Sequence, residues 1–225
     1  MIEIDCWQSN FKSCVYSDLL INKLTLINEQ SANKIDIEEV KKAIYYAKKY
    51  HCYQMRESGE PYYSHPIEVA LIVADYCFKI DVIVTSLLHD TIEDTKLTKQ
   101  MIEYIFGSTI ADNVENLTRI KIDKKITTKE SVESLWMQEK KDLLLVKLCD
   151  RLHNMRTIRA KSPEKIKKIT HETIHIFIIL AIYLETFIIA EEIIKICRNN
   201  LNISNKDVFF FNSVNDSYRL PFLNF

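Results

Sequence analysis

Apolar residues recur at helical spacing along much of the chain. Val40, Ala43, Ile44 and Ala47 fall three and four apart and mark one face of a helix. Asp36, with Glu39 three positions on, has the form of a capping box, so this helix is expected to run to about His51. The stretch Arg56-Glu57-Ser58-Gly59-Glu60-Pro61-Tyr62-Tyr63-Ser64-His65-Pro66 carries Gly59 and Pro61 and reads as a loop. Pro66 is allowed at the first position of a helix, here one reaching about Tyr76. Asp81 is expected to cap the next helix, in which Val82, Ile83, Leu87 and Leu88 lead into His89 and Asp90. Thr98 and Ser108 are expected to cap two more, the first ended by Gly107 and the second running through Leu117. The charged segment 121–129 reads as a mobile connection. Helices resume near Val132, and Ser162 followed by Pro163 opens a long final helix or pair reaching about Arg198.

Composition agrees with a helical reading. Two glycines and four prolines in 225 residues are too few for a fold built on tight turns. The expected fold class is all-α, a helical bundle over residues 35–198. Residues 1–34 form an extension of unassigned content, and 199–225 a tail of unassigned structure. The formal net charge of −1 lacks the basic footprint of a duplex nucleic-acid binder. Cys6, Cys14, Cys52, Cys77, Cys149 and Cys197 include no C-x-x-C pair and read as buried free thiols of a reducing, cytoplasmic compartment. No basic and apolar leader pattern follows Met1. The apolar stretch 174–190 contains His175, Glu185 and Thr186, so it reads as a core helix and not a membrane span.

Chemistry concentrates in three places. In His89-Asp90-Thr91-Ile92-Glu93-Asp94, helical spacing sets Asp90 beside Glu93 and Asp94, directly after an apolar stretch. Burying such groups uncompensated costs several kcal/mol each, about the scale seen for unpaired buried charges, and a divalent metal would compensate them. Alone, this motif is a weak signal, and a solvated helix end accounts for it better. In Lys147-Leu148-Cys149-Asp150-Arg151-Leu152-His153-Asn154-Met155-Arg156-Thr157, the residues Asp150, His153, Asn154 and Thr157 share one face. Asp150 could complete a metal site, and Asn154 and Thr157 could bond a substrate. His153 reads as a packed, hydrogen-bonded histidine rather than a ligand. Lys147 and Arg151 read either as charge partners for phosphate or as surface residues. His65 in the loop adds a third segment, so His65, His89, Asp90 and Asp150 form a plausible mixed nitrogen and oxygen metal set.

Together the three segments resemble the signatures of RelA/SpoT homologue hydrolase domains, in order and in separation, over roughly residues 37–196. The resemblance implies an all-helical HD-domain bundle, Mn2+ as the metal, and hydrolysis of the alarmone (p)ppGpp to GDP or GTP with release of the 3′-pyrophosphate. It implies His65, His89, Asp90 and Asp150 as metal ligands and Glu93 and Asp94 as the pair that positions or activates the attacking water. Arg56 would pack on the guanine with Ser58 beside it, and Asn154 and Thr157 would contact sugar and phosphates. Where the family commonly has lysine after the arginine, this chain has Glu57, whose charge opposes an anionic ligand. After Thr170 the chain reads Ala181-Ile182-Tyr183-Leu184-Glu185, where relatives show a basic, glycine-containing turn into a synthetase domain, so hydrolysis without synthesis is expected. The alternatives are a related HD phosphohydrolase acting on another nucleotide such as NADPH, and an inactive alarmone-binding module. Neither a membrane nor duplex nucleic acid is an expected partner, and the sequence leaves the oligomeric state open.

Overall fold

In a computed structural model, the protein is described over residues 6–121 and 124–201. It divides into two compact units, residues 1–153 and 154–225. The first unit contains α1 (Trp7–Asn10), α2 (Val15–Gln30), α3 (Ile37–Tyr50), α4 (Ser64–Val73), α5 (Ile80–Leu88) and α6 (Thr91–Asp94). It continues with α7 (Lys99–Phe106), α8 (Ser108–Leu117), a two-residue pair β1 (Ile120–Lys121) and β2 (Lys124–Lys125), and α9 (Thr128–Met137). Helix α10 (Lys141–Arg156) ends in the first residues of the second unit, which goes on with α11 (Pro163–Glu172), α12 (Ile178–Tyr183) and α13 (Phe187–Leu201). Outside that one antiparallel pair, the regular structure among the described residues is helical, and the fold class is all-α.

Helix α5 is the centre of the first unit and packs against α3, α4 and α8. Every residue from Val82 to Leu88 is buried, with Ile83, Leu87 and Leu88 fully so. Each such side chain contributes about 1.5–3 kcal/mol of burial free energy. The unassigned N-terminal stretch supplies α2, which packs on α3 and α4 and buries Leu20 and Leu24 completely. Lys23 fastens α2 by donating to Leu71 O at 2.9 Å and pairing with Asp75 at 2.6 Å.

The local signals fare unevenly. Asp36 caps α3 by accepting from the backbone of Glu38 and Glu39, whereas the Glu39 side chain meets Lys42 at 3.4 Å instead of returning to the cap. Thr98 caps α7 and Ser162 caps α11, as the sequence predicts. Helix α4 begins two residues before Pro66, because any of the first-turn positions lacks an intrahelical acceptor and tolerates proline. Asp81 is not a cap; it lies in the first turn of α5, which begins after Lys79. Ser108 is the first helical residue of α8, and Gly107, at φ 90°, serves as the cap. The described residues of segment 121–129 include the ends of the β pair and the start of α9, where Thr127 and Glu130 form a reciprocal capping box, while 122 and 123 lie outside the described residues.

The expected long final helix or pair is broken at two points. A π-helical turn, Thr173–Phe177, separates α11 from α12, and Glu185 adopts a left-handed conformation at φ 56° between α12 and α13. Among the described residues, no helix is long and apolar enough to cross a membrane. The six cysteines are unpaired, but only Cys149 and Cys197 are buried; Cys6 and Cys52 are exposed, and Cys14 and Cys77 are half-buried.

Candidate metal centre and its surroundings

Three helices of the first unit deliver the proposed ligands. His65 opens α4, held by its backbone N–H donating to Tyr62 O at 3.0 Å. His89 and Asp90 form the joint between α5 and α6 rather than lying on one continuous helix. Asp150 lies on α10 beside fully buried Leu148 and Cys149. His65 Nε2 is 3.1 Å from Asp150 Oδ1 and 3.5 Å from Asp90 Oδ2. His89 Nε2 is 3.2 Å from Asp90 Oδ1 and 3.8 Å from Asp150 Oδ1. Ligand-type atoms of His65, His89 and Asp150 all fall within 4.8 Å of one another and could hold a metal ion.

The donor set suits a divalent cation. His89 Nδ1 lies 2.8 Å from Ser86 O, an atom that only accepts, so a neutral His89 carries its proton there. Its Nε2 is then a lone pair, buried, without a well-aligned hydrogen bond, and aimed at two carboxylates. Such an arrangement is repulsive unless a proton or a cation lies between. The electrostatics say the same. Burial pulls the His89 imidazole down, but Asp90 and Asp150 together push it well above the ordinary histidine value. Burial likewise raises Asp90 and Asp150, and the facing His89 and His65 override it and hold both carboxyls low. Two imidazoles and two carboxylates form a mixed set typical of first-row divalent metals.

The acidic pair splits. Glu93 accepts from the Arg119 backbone N–H at 3.2 Å and from its guanidinium at 3.3 Å. Asp94 instead accepts from the Tyr62 hydroxyl at 2.9 Å, and the same hydroxyl lies 3.0 Å from Asp90 Oδ2. Burial, then Asp90 and Asp94, raises Tyr62 far above the ordinary phenol value, so it stays a donor. Partial burial and the nearby Asp90 raise Asp94 above the usual carboxylate value. Behind Tyr62, buried His51 stacks on its ring at 4.7 Å between centroids and bonds Gln54, whose amide donates to Asp94 O at 2.7 Å.

Arg56 and Ser58 lie in the turn before α4, where Arg56 O accepts from Gly59 N–H and Gly59 takes φ 100°. Ser58 holds the Glu60 carboxyl below its usual value by hydrogen bonding. Asn154 and Thr157 belong to the second unit, where the Thr157 hydroxyl lies 3.4 Å from Asn154 O. Lys147 donates to Leu117 O at 3.1 Å, and burial holds its ammonium below the ordinary value. His153 is packed and hydrogen-bonded, as read from the sequence, at 2.6 Å from Glu68 and 2.8 Å from His65. Tyr62, His51, Glu68 and Arg119 escaped the sequence reading. Of these, Tyr62 alone lay within a motif that signalled the site.

The matching family model is that of the HD domain, over residues 43–187, and the chain belongs to that family. Over this region it is homologous to proteins of the RelA/SpoT group. It is 41% identical over 170 residues to the GTP pyrophosphokinase rsh of Brucella ovis, covering 72% of this chain and 23% of that protein. It is 38% identical over 151 residues to the bifunctional (p)ppGpp synthase/hydrolase SpoT of Escherichia coli, covering 64% and 22%. The chain thus spans under a quarter of the length of these relatives. A solved structure of a metazoan SpoT ortholog, described as hydrolysing ppGpp, aligns with a TM-score of 0.49 at 22% identity, over 78% of this chain and 96% of that one.

Proposed function

We propose that this chain hydrolyses (p)ppGpp, removing the 3′-pyrophosphate to give GDP or GTP, with Mn2+ as its metal. The observation that carries the phosphohydrolase reading is the convergence of His65, His89, Asp90 and Asp150 from three helices, with a buried imidazole lone pair left over. The relatives support the substrate assignment, one of them being named a guanosine-3′,5′-bis(diphosphate) 3′-pyrophosphohydrolase.

His65, His89, Asp90 and Asp150 would hold the metal. When bound, the metal supplies an acidified water and polarises a phosphoryl oxygen. Asp94 takes the proton of the attacking water; its raised proton affinity suits a general base, and Tyr62 fixes one of its oxygens. Glu93, tied to Arg119, anchors the acidic turn. The water oxygen bonds the phosphorus attached to the ribose 3′ oxygen, that phosphorus–oxygen bond breaks, and the proton passes to the departing 3′ oxygen. Arg56 packs on the base with Ser58 beside it, and Asn154 and Thr157 contact sugar and phosphates. The proposed catalytic segment is residues 35–198, and α2 before it packs on α3 and α4 of the first unit. Purified chain, ppGpp and Mn2+ should yield GDP and pyrophosphate in equal amounts; intact ppGpp after prolonged incubation with a folded, metal-loaded sample would overturn the reading.

A further inference from the structure

Behind His65 runs a line of side chains drawn from two helices. Glu68 Oε2 is 2.6 Å from His153 Nε2, and His153 Nδ1 is 2.8 Å from His65 Nδ1. Glu68 follows His65 by three residues on α4, and His153 follows Asp150 by three on α10. Helical spacing therefore gives each helix one proposed ligand and one residue stacked behind the centre. Both imidazoles are buried, His65 at 1% exposure and His153 at 5%, so bulk water does not compete for their nitrogens.

The donors and acceptors in this line fix one another. A carboxylate only accepts, so His153 Nε2 carries a hydrogen toward Glu68. A neutral His153 then accepts at Nδ1, and the hydrogen between the two rings belongs to His65 Nδ1. His65 Nε2 is left with its lone pair facing Asp150 and Asp90. The opposite order would place a hydrogen on His65 Nε2 and block it from a cation. His89 reaches the same state by a shorter route, through Ser86 O. We infer that Glu68 and His153 are positioning residues that select the metal-binding tautomer of His65, with Glu68 setting the direction of the whole line. The inference rests on the metal reading above.

The test uses the full chain and Mn2+ alone, titrated calorimetrically into metal-free wild type, Glu68→Gln and Glu68→Met. The Glu68 side chain is 39% exposed, so neither change opens a core cavity, and melting of the metal-free proteins checks this. Glutamine keeps an acceptor for His153 Nε2–H; methionine fills similar space with none. Glu68→Met should lose about ten- to hundredfold in Mn2+ affinity, the range for outer partners of metal-bound histidine, and Glu68→Gln should recover most of it. Wild-type affinity in both variants would overturn the inference, as would an equal loss in both, since charge or shape would then be at work. As a readout independent of substitution, imidazole nitrogen spectra of wild type loaded with diamagnetic Zn2+ should show His153 protonated at Nε2 and bare at Nδ1; the reverse overturns it. No Mn2+ binding by wild type would sink the metal reading itself and the inference with it.

Discussion

Buried polar side chains are handled in opposite ways around the metal centre and in the helices of residues 163–201. In those helices they are neutral hydroxyls, each with a partner, and two of the three close on nearby chain. Thr173 donates to Ile169 O at 2.7 Å and Thr186 to Ala181 O at 3.1 Å, while Thr170 accepts from the Asn200 amide, 30 residues on, at 3.3 Å. Around the metal centre they are ionisable, and apart from His89, which meets Ser86 O and Asp90 close by, their partners lie far off in sequence: 28 residues from Tyr62 to Asp90 and 88 from His65 to His153. A hydroxyl bonded to the carbonyl one turn back lets a polar residue occupy a core position at little cost. Imidazoles and carboxylates gathered with a lone pair unmet hold opposing charges out of water, a net cost that a bound cation reverses. Polar burial that closes locally belongs to the fold; polar burial that converges from a distance and stays incomplete belongs to the chemistry.

The sharpest way to break this contrast is Asp150→Asn. It should abolish turnover and erase the Mn2+-dependent gain in stability, which for wild type at a hundredfold excess over Kd is about 2.7 kcal/mol. A variant whose melting temperature still rises with Mn2+ as wild type's does would remove Asp150 from the centre. Asp94→Asn should come next, lowering turnover by roughly a hundredfold or more while Mn2+ still binds. Glu93→Gln should cost less, since Glu93 faces Arg119; if the order of the two were reversed, the roles assigned to the acidic pair would be exchanged. Thr173→Val, on the other side of the comparison, should cost about 0.5–1.5 kcal/mol in denaturant unfolding and leave turnover per folded molecule unchanged. The smallest effect is expected from Glu57→Lys. This residue is exposed, so ppGpp affinity measured at low salt should tighten modestly and the gain should fade as salt is added. Identical affinities at low salt would show that the acid in this loop does not influence the nucleotide.

What the sequence reveals of this molecule follows the range of each interaction. Asp36, Thr98 and Ser162 act on backbone two or three residues away, and their caps were legible. The four metal-set residues were legible as a pattern, since three short motifs name them. Glu68 and Tyr62 were not, because their roles depend on which helices lie together. Nothing in the neighbourhood of Glu68 announces His153, 85 residues on. The split of Glu93 from Asp94 was hidden for the same reason: spacing sets both near Asp90, and only Arg119 and Tyr62 pull them apart. In segment 121–129 the run of charge hid the Thr127 and Glu130 box.

The π turn at Thr173–Phe177 has a consequence for how α12 meets its core. Each added residue advances the azimuth of everything downstream by about 100°, the angular step of an α-helix. The wide turn thus works as a phase adjuster between two apolar stripes that an unbroken helix would leave out of alignment. Deleting one residue within 173–177 should restore continuous α-helix and keep Ile178, Leu180 and Ala181 on the interior they now fill, whereas straightening the turn with all five residues kept would swing them away.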